Sequence, residues 1–261
     1  MFTRAIVRRP GSNFAEGLTS VDFGVPEFDK ALAQWEVYCS ALESCGLVLT
    51  RLEQDMAHPD STFVEDAAVL TEEGAMLTRP GAVSRLGEVA AIAATVRGFY
   101  PEAVEVREPG TLDGGDICEA GRHFFLGISK RTNEEGARQL ADHLAKEGFT
   151  SSLVDVREMT SILHLKSGIS YIGPGPAGEE TLVVMEEMAD WAEFAGYDLL
   201  RVSVEESYGA NCVRVNDRVL VAEGYPRMTE ELVRRGYDPL VLDMSEFRKM
   251  DGGLSCLSLR F

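Results

Sequence analysis

The C-terminal stretch 251–261 reads DGGLSCLSLRF. Its apolar end has the composition of a strand, but no neighbouring segment offers it a partner. The stretch 3–10, TRAIVRRP, is a strand ended by proline and is equally alone. If the last strand pairs with the first, the chain closes into a ring, and the fold is decided by that closure.

The segments between them fit such a ring. VPEFDKALAQWEVYCSALESCG (25–46) reads as an amphipathic helix closed by Gly46, and LVLTRLE (47–53) as a strand. TFVEDAAVLTEEGAMLTRP (62–80) reads as two strands joined by a Glu-Glu-Gly turn, and SRLGEVAAIAATVRGF (84–99) as a helix. LDGGDICEAGRHFFLGIS (112–129) repeats the strand pair. TNEEGARQLADHLAKEG (132–148) follows as a helix, with Thr132 as N-cap and Glu135 completing a capping box. SILHLKSGISYIG (161–173) with EETLVVMEEMADWAEFAG (179–196), then YGANCVRVNDRVLVAEG (208–224) with MTEELVRRG (228–236), supply two more units. About five strand–turn–strand–helix–strand units recur at roughly 50 residues, which predicts a closed, propeller-like α/β array rather than one open sheet. No linker interrupts the pattern, so residues 1–261 are read as a single domain. Five polar segments (FVED, LDGGD, LHLKSG, YGANC and MDGGLSC) each begin a strand pair, and a closed array brings them together on its axis.

Composition narrows the chemistry. With 261 residues and 45% apolar content the chain can bury a large core. The net charge of −18 opposes binding to nucleic acid and to anionic membranes. It suits a cationic small molecule, or serves solubility alone. Cys39, Cys45, Cys118, Cys212 and Cys256 are odd in number and form no C-x-x-C, which argues against a disulfide framework or a zinc site. The start, MFTRAIVRRPGSN, has no apolar signal core, and VAAIAATV (89–96) is too short to span a bilayer, so a cytoplasmic location is expected.

Individual candidates carry two readings each. GPGPAG (173–178) matches a dinucleotide fingerprint, but its two prolines remove N–H donors a pyrophosphate needs, so it reads as an ordinary loop. His58, His123 and His143 read as structural. His164 starts a strand beside a glycine, where a cleft would lie. Asp60, Glu65 and Asp66 form either a solvated edge or a cation grip. Asp113 and Asp116 flank two glycines and either cap a turn or, for Asp113, orient a histidine. Cys256 is a buried filler or a nucleophile that needs a base such as His164. The other cysteines read as core.

Taken together, FVEDAAVL, LTRPGAVSR, TLDGGD, SKRTN, LHLKSG, GANC and DMSEFRKMDGGLSC resemble the dimethylarginine dimethylaminohydrolase family of the guanidino-group-modifying superfamily. The resemblance covers nearly the whole chain. It implies a five-fold pseudosymmetric α/β propeller, the pentein fold, with its active site on the central axis and no metal or organic cofactor. It puts the nucleophile at Cys256, the acid/base at His164 and the residue orienting it at Asp113. Glu65 and Asp66 would hold the guanidinium. Asp60, with the carbonyls of Leu18 and Met250, would hold the α-amino group, and Arg85 and Arg131 the α-carboxylate. The implied reaction is hydrolysis of Nω-methylated arginines to citrulline and an alkylamine; the alternative is an arginine-deiminase-like enzyme with another guanidino or ureido substrate. A homodimer is compatible with the resemblance. A ribosome-binding relative shares the propeller, but the filled catalytic positions and the −18 charge speak against that role.

Two departures bear on these roles. Some family members carry Glu at the position of Asp113. Deiminases and amidinotransferases have Asp where this chain has Lys166, which leaves room at one guanidino nitrogen and favours an N-alkylated substrate.

Overall fold

The computed structural model describes residues 1–175 and 178–261; positions 176 and 177 of the GPGPAG loop lie outside the described residues. In chain order the elements are β1 (Arg4–Arg8), α1 (Phe28–Ser44), β2 (Val48–Leu52), β3 (Ala68–Leu70), β4 (Ala75–Leu77), α2 (Leu86–Phe99) and β5 (Val104–Glu105). There follow β6 (Ile117–Ala120), β7 (His123–Ile128), α3 (Glu134–Lys146), β8 (Thr150–Asp155), β9 (Ile169–Pro174), β10 (Glu180–Met185) and β11 (Asp198–Val202). The chain finishes with β12 (Val213–Val215), β13 (Arg218–Ala222), α4 (Pro226–Arg234), β14 (Asp238–Leu242), the short α5 (Ser245–Arg248) and β15 (Leu259–Arg260).

Among the described residues the strands form five three-stranded sheets of one design. A hairpin such as β6–β7 is antiparallel, and its second strand pairs in parallel with the strand beyond the helix, here β8. The first sheet has the order β15–β1–β2, so its outer strand comes from the other end of the chain. Ala5 faces Arg260 and Ile6 faces Leu259 across that antiparallel pair. The ring is therefore closed by the two strands that lack a local partner, as the sequence predicts, and the fold is a five-fold pseudosymmetric α/β propeller. The second strand of each hairpin is the buried one. Ile6, Leu126, Val183 and Leu220 are fully covered, as expected of strands flanked on both sides.

Three local expectations need correction. Among its described residues the fourth unit has no α-helix; short 3-10 turns at Glu186–Met188 and Ala192–Phe194 precede β11. The helix cap is Asn133, whose side chain accepts the Gly136 N–H at 2.8 Å. Thr132 instead turns its hydroxyl inward to Asp116, and Glu135 bonds Arg138 on the surface, so no capping box forms. Finally, the polar segments do not begin strands directly. They form 3-10 turns at Val64–Ala67, Gly114–Asp116, Leu165–Ser167, Val204–Ala210 and Ser255–Leu257. These turns pack one on the next, and the Asn211 side-chain amide closes the circuit by donating to Ser255 Oγ at 3.1 Å.

Helix α1 holds the C-terminal turn in place. Tyr38 is fully buried, and its hydroxyl donates to the Leu254 carbonyl at 2.9 Å and pairs with Ser258 Oγ at 2.7 Å. Among the described residues, no helix is long and apolar enough to cross a membrane.

Candidate functional site

The circle of 3-10 turns decides where side chains go. In a strand, residues 65 and 66 would alternate between faces. In a 3-10 turn they point about 120° apart, and each finds a different neighbour. Asp66 lines a narrow cavity with Cys256, His164, Leu18, Asp60, Arg85, Arg131 and Met250. Glu65 faces a wider cavity of about 450 Å³ that Lys166 and Arg260 also line. It reaches back toward the sulfur through Ser255, whose hydroxyl donates to Glu65 Oε2 at 2.8 Å and lies 3.9 Å from Cys256 Sγ. Its other oxygen is bound by Lys166. The larger cavity thus abuts the cysteine's turn but does not contain the cysteine or the histidine.

His164 is 5% exposed, and its Nε2 lies 3.0 Å from Asp113 Oδ2. Asp113 is wholly buried and also accepts the Gly81 N–H at 2.8 Å. Burial opposes a charge on the imidazole, but Asp66, Asp116 and Asp113 outweigh it and raise His164 to about 9. Burial raises Asp66 too; His164 and Arg85 overcome this and take it down to about 2. At neutral pH the site therefore holds an imidazolium beside a carboxylate. Cys256 behaves oppositely: burial, then Glu65 and Asp66, push its thiol up to about 12. At neutral pH the sulfur therefore keeps its proton.

Arg85 is 4% exposed and almost fully committed. Its Nη1 donates to Asp66 Oδ2 at 2.6 Å. Its Nε and Nη2 hold both oxygens of Glu88, and Nη2 also meets the carbonyls of Asp60 and Phe63. Among the described residues Nη1 has this one partner, so one of the guanidinium's five N–H bonds is left for a ligand. Burial raises Glu88 to about 6 despite this pairing. Arg131 is less engaged: its Nη1 is buried with no hydrogen-bond partner among the described residues, 3.8 Å from Asp113 Oδ2. An unpaired buried guanidinium nitrogen lining a cavity fits an anionic ligand group.

Asp60 anchors the other wall. Both of its oxygens accept the Leu18 N–H, at 3.0 and 3.2 Å. The Leu18 segment is held further by Thr19, whose hydroxyl donates to the Lys249 carbonyl at 3.0 Å, and by the Ser20 N–H on Asp251 Oδ2 at 2.5 Å. Closed in this way, the cavity is about 20 Å³, room for little more than a water.

Sequence reasoning did not select Asp251 or Glu88. Asp251 adopts φ +57°, a strained conformation for a non-glycine residue, and the MDGG turn is its sequence signal. Glu88 follows Arg85 by three positions, the spacing that puts two side chains on one helical face. Asp66, Asp113 and His164 present donor atoms within 4.8 Å of one another, the geometry of a metal triad. However, Arg85 and the Gly115 N–H already engage Asp66, and Gly81 and His164 engage Asp113.

No family model matches the chain. The chain is 44% identical over 262 residues to N(G),N(G)-dimethylarginine dimethylaminohydrolase of Pseudomonas aeruginosa, covering 100% of both. It is 36% identical over 259 residues to the protein of that name from Streptomyces coelicolor, covering 98% of this chain and 96% of the relative. Among solved structures, a cysteine-to-serine variant of DDAH from Pseudomonas aeruginosa complexed with citrulline superposes with a TM-score of 0.95 at 43% identity, over 100% of both chains. Full-length identity at this level, on the same closed ring, shows that the chain belongs to the dimethylarginine dimethylaminohydrolase family.

Proposed function

We propose that the protein hydrolyses Nω-methylated arginines to citrulline and methylamine or dimethylamine, with Cys256 as nucleophile and His164 as acid and base. The observation that carries this reading is the single cavity in which a thiol, an imidazolium and the Asp66 carboxylate meet an unpaired Arg131 Nη1. A relative's structure complexed with citrulline supports it.

The substrate enters when the Leu18 segment lifts. Its α-carboxylate pairs with Arg131 and the free N–H of Arg85, and its α-amino group with Asp60 and the carbonyls of Leu18 and Met250. The guanidinium is drawn to Asp66, with Glu65 behind the sulfur. A cation beside Cys256 cancels the two carboxylates that hold its proton, so the thiol ionises only once substrate is bound. The thiolate attacks the guanidinium carbon. The resulting tetrahedral centre collapses as His164 gives its proton to the departing alkylamine, leaving an alkylthiouronium on Cys256. Neutral His164 then takes a proton from water, which attacks the same carbon. The C–S bond breaks, and citrulline leaves with Cys256 restored. Proton transfer of this kind contributes about 10² to 10⁴ in rate. Lys166 is tied to Glu65 and does not line the cysteine's cavity, so it leaves open the nitrogen that bears the alkyl groups.

The test is mass spectrometry of purified protein mixed with asymmetric dimethylarginine, with amine release measured in parallel. Citrulline, dimethylamine and a covalent adduct on Cys256 are expected. Absence of citrulline, or equal turnover by the Cys256→Ser variant, overturns the proposal. Ammonia from arginine in place of alkylamine identifies the deiminase-like alternative.

A further inference from the structure

We infer that Asp116 is a positioning residue that sets three functional turns at once through a single buried carboxylate. It touches neither the cavity nor the expected substrate, and the inference rests on the function proposed above.

Asp116 is wholly buried on the turn after Asp113. Its Oδ1 accepts the backbone N–H of Leu165 at 3.0 Å, the residue that follows His164. Its Oδ2 accepts the hydroxyls of Ser129 at 2.7 Å and Thr132 at 2.6 Å. Each hydroxyl has only one hydrogen, and both are spent on Asp116. Their lone pairs then serve the neighbouring backbone. Ser129 Oγ accepts the N–H of Arg131 at 2.9 Å and of Thr132 at 3.1 Å. Thr132 Oγ1 accepts the N–H of Asp113 at 3.0 Å. One carboxylate thus fixes the imidazole's turn directly, the Arg131 turn through Ser129, and the Asp113 turn through Thr132.

Two further features support the role. Gly127 leaves space for it, since a Cβ there would come within 3.0 Å of Asp116 Oδ1. The group also has a cost: burial raises Asp116 to about 6, against the pull of His164 and its three donors. A buried carboxylate whose donors all come from turns bearing site residues is better explained by orientation than by stability alone.

His164 is faced by Asp113, Asp116 and Asp66, with Arg85 and Arg131 beyond these carboxylates and Cys256 in the same cavity. Removing the Asp116 charge lowers the imidazole's proton affinity, because an anion nearby favours the imidazolium. The experiment compares wild type with Asp116→Asn, Ser129→Ala and Thr132→Val. It combines ¹⁵N NMR titration of the histidines in resting protein with kcat and KM for asymmetric dimethylarginine.

In Asp116→Asn, the His164 midpoint should fall by about one unit, with His58, His123 and His143 unmoved, and kcat/KM should drop about tenfold or more. Ser129→Ala should mainly raise KM through Arg131, and Thr132→Val should mainly lower kcat through Asp113. The inference is overturned if folded Asp116→Asn keeps the wild-type His164 midpoint and loses only thermal stability. If that variant does not fold, wild-type kinetics in both hydroxyl variants overturn it. The NMR reading needs no turnover, so a wild-type protein inactive on methylarginines would sink the proposed function and leave this inference to be judged on the His164 midpoint.

Discussion

His164 Nε2 and Asp113 Oδ2 stand 3.0 Å apart, and the aspartate is wholly buried behind the ring. The contact engages Nε2, and the other ring nitrogen, Nδ1, lies on the Gly115 side, where an added Cβ would meet it at 2.7 Å. Asp113 also holds the Gly81 N–H, so it is fixed from two sides.

The first prediction concerns that contact. Asp113→Asn presents an amide N–H₂ to a ring nitrogen that now donates, and so favours the wrong tautomer. A loss of about 10² to 10⁴ in kcat is expected, with KM little changed. Steady-state kinetics check it; a kcat near wild type would remove Asp113 from the mechanism.

A second prediction follows from the raised His164 affinity. The folded value is about 9, above the ordinary value near 6.5, so the charged form is the one folding favours. Its stabilising contribution is full below about 6.5 and is lost as pH rises through about 9. Denaturation midpoints of wild type should fall over that window more steeply than those of His164→Gln. The alkaline limb of kcat/KM should lie near 9, where His164, the proposed general acid, loses its proton. A limb near 6.5 would contradict the carboxylate environment.

Arg85 gives a stability prediction. Arg85→Met strips the partner from Asp66 and Glu88, which are 3% and 4% exposed. Leaving buried charges unpaired costs about 3–5 kcal/mol. Urea denaturation should show a loss of this order, and Glu88→Gln a smaller one. A variant as stable as wild type would mean the cluster relaxes into water.

Gly115 tests the packing. An added Cβ would meet His164 Nδ1 at 2.7 Å and Asp66 Oδ1 at 2.8 Å. Gly115→Ala should keep the fold, because φ there is not in the left-handed region. Displacing both groups should still cut kcat/KM by about 10² or more. Circular dichroism and kinetics on one sample separate the two effects.

Much of this was legible in the residues. Orphan strands at both ends, hairpins at regular spacing and Gly-rich turns between them are local patterns, and local patterns survive without tertiary context. The misreadings were also local. Asn133 outcompetes Thr132 as a cap because the threonine hydroxyl is drawn to a buried carboxylate that no helix signal encodes. The fourth unit reads as helical in composition, yet EEMADWAEFAG settles into 3-10 turns.

By itself the sequence determined the ring, the candidate residues and their acidic surroundings, since strand periodicity and charge belong to the chain. Only the tertiary structure decided what those residues do to one another. It parted Glu65 from Asp66, gave most of Arg85 to Glu88 and Asp66 while leaving Arg131 Nη1 unpaired, and set Asp116 behind three turns at once. The physical reason is that hydrogen bonds and proton affinities depend on distances of a few ångströms between residues far apart in the chain. Those distances exist only once the last strand has paired with the first.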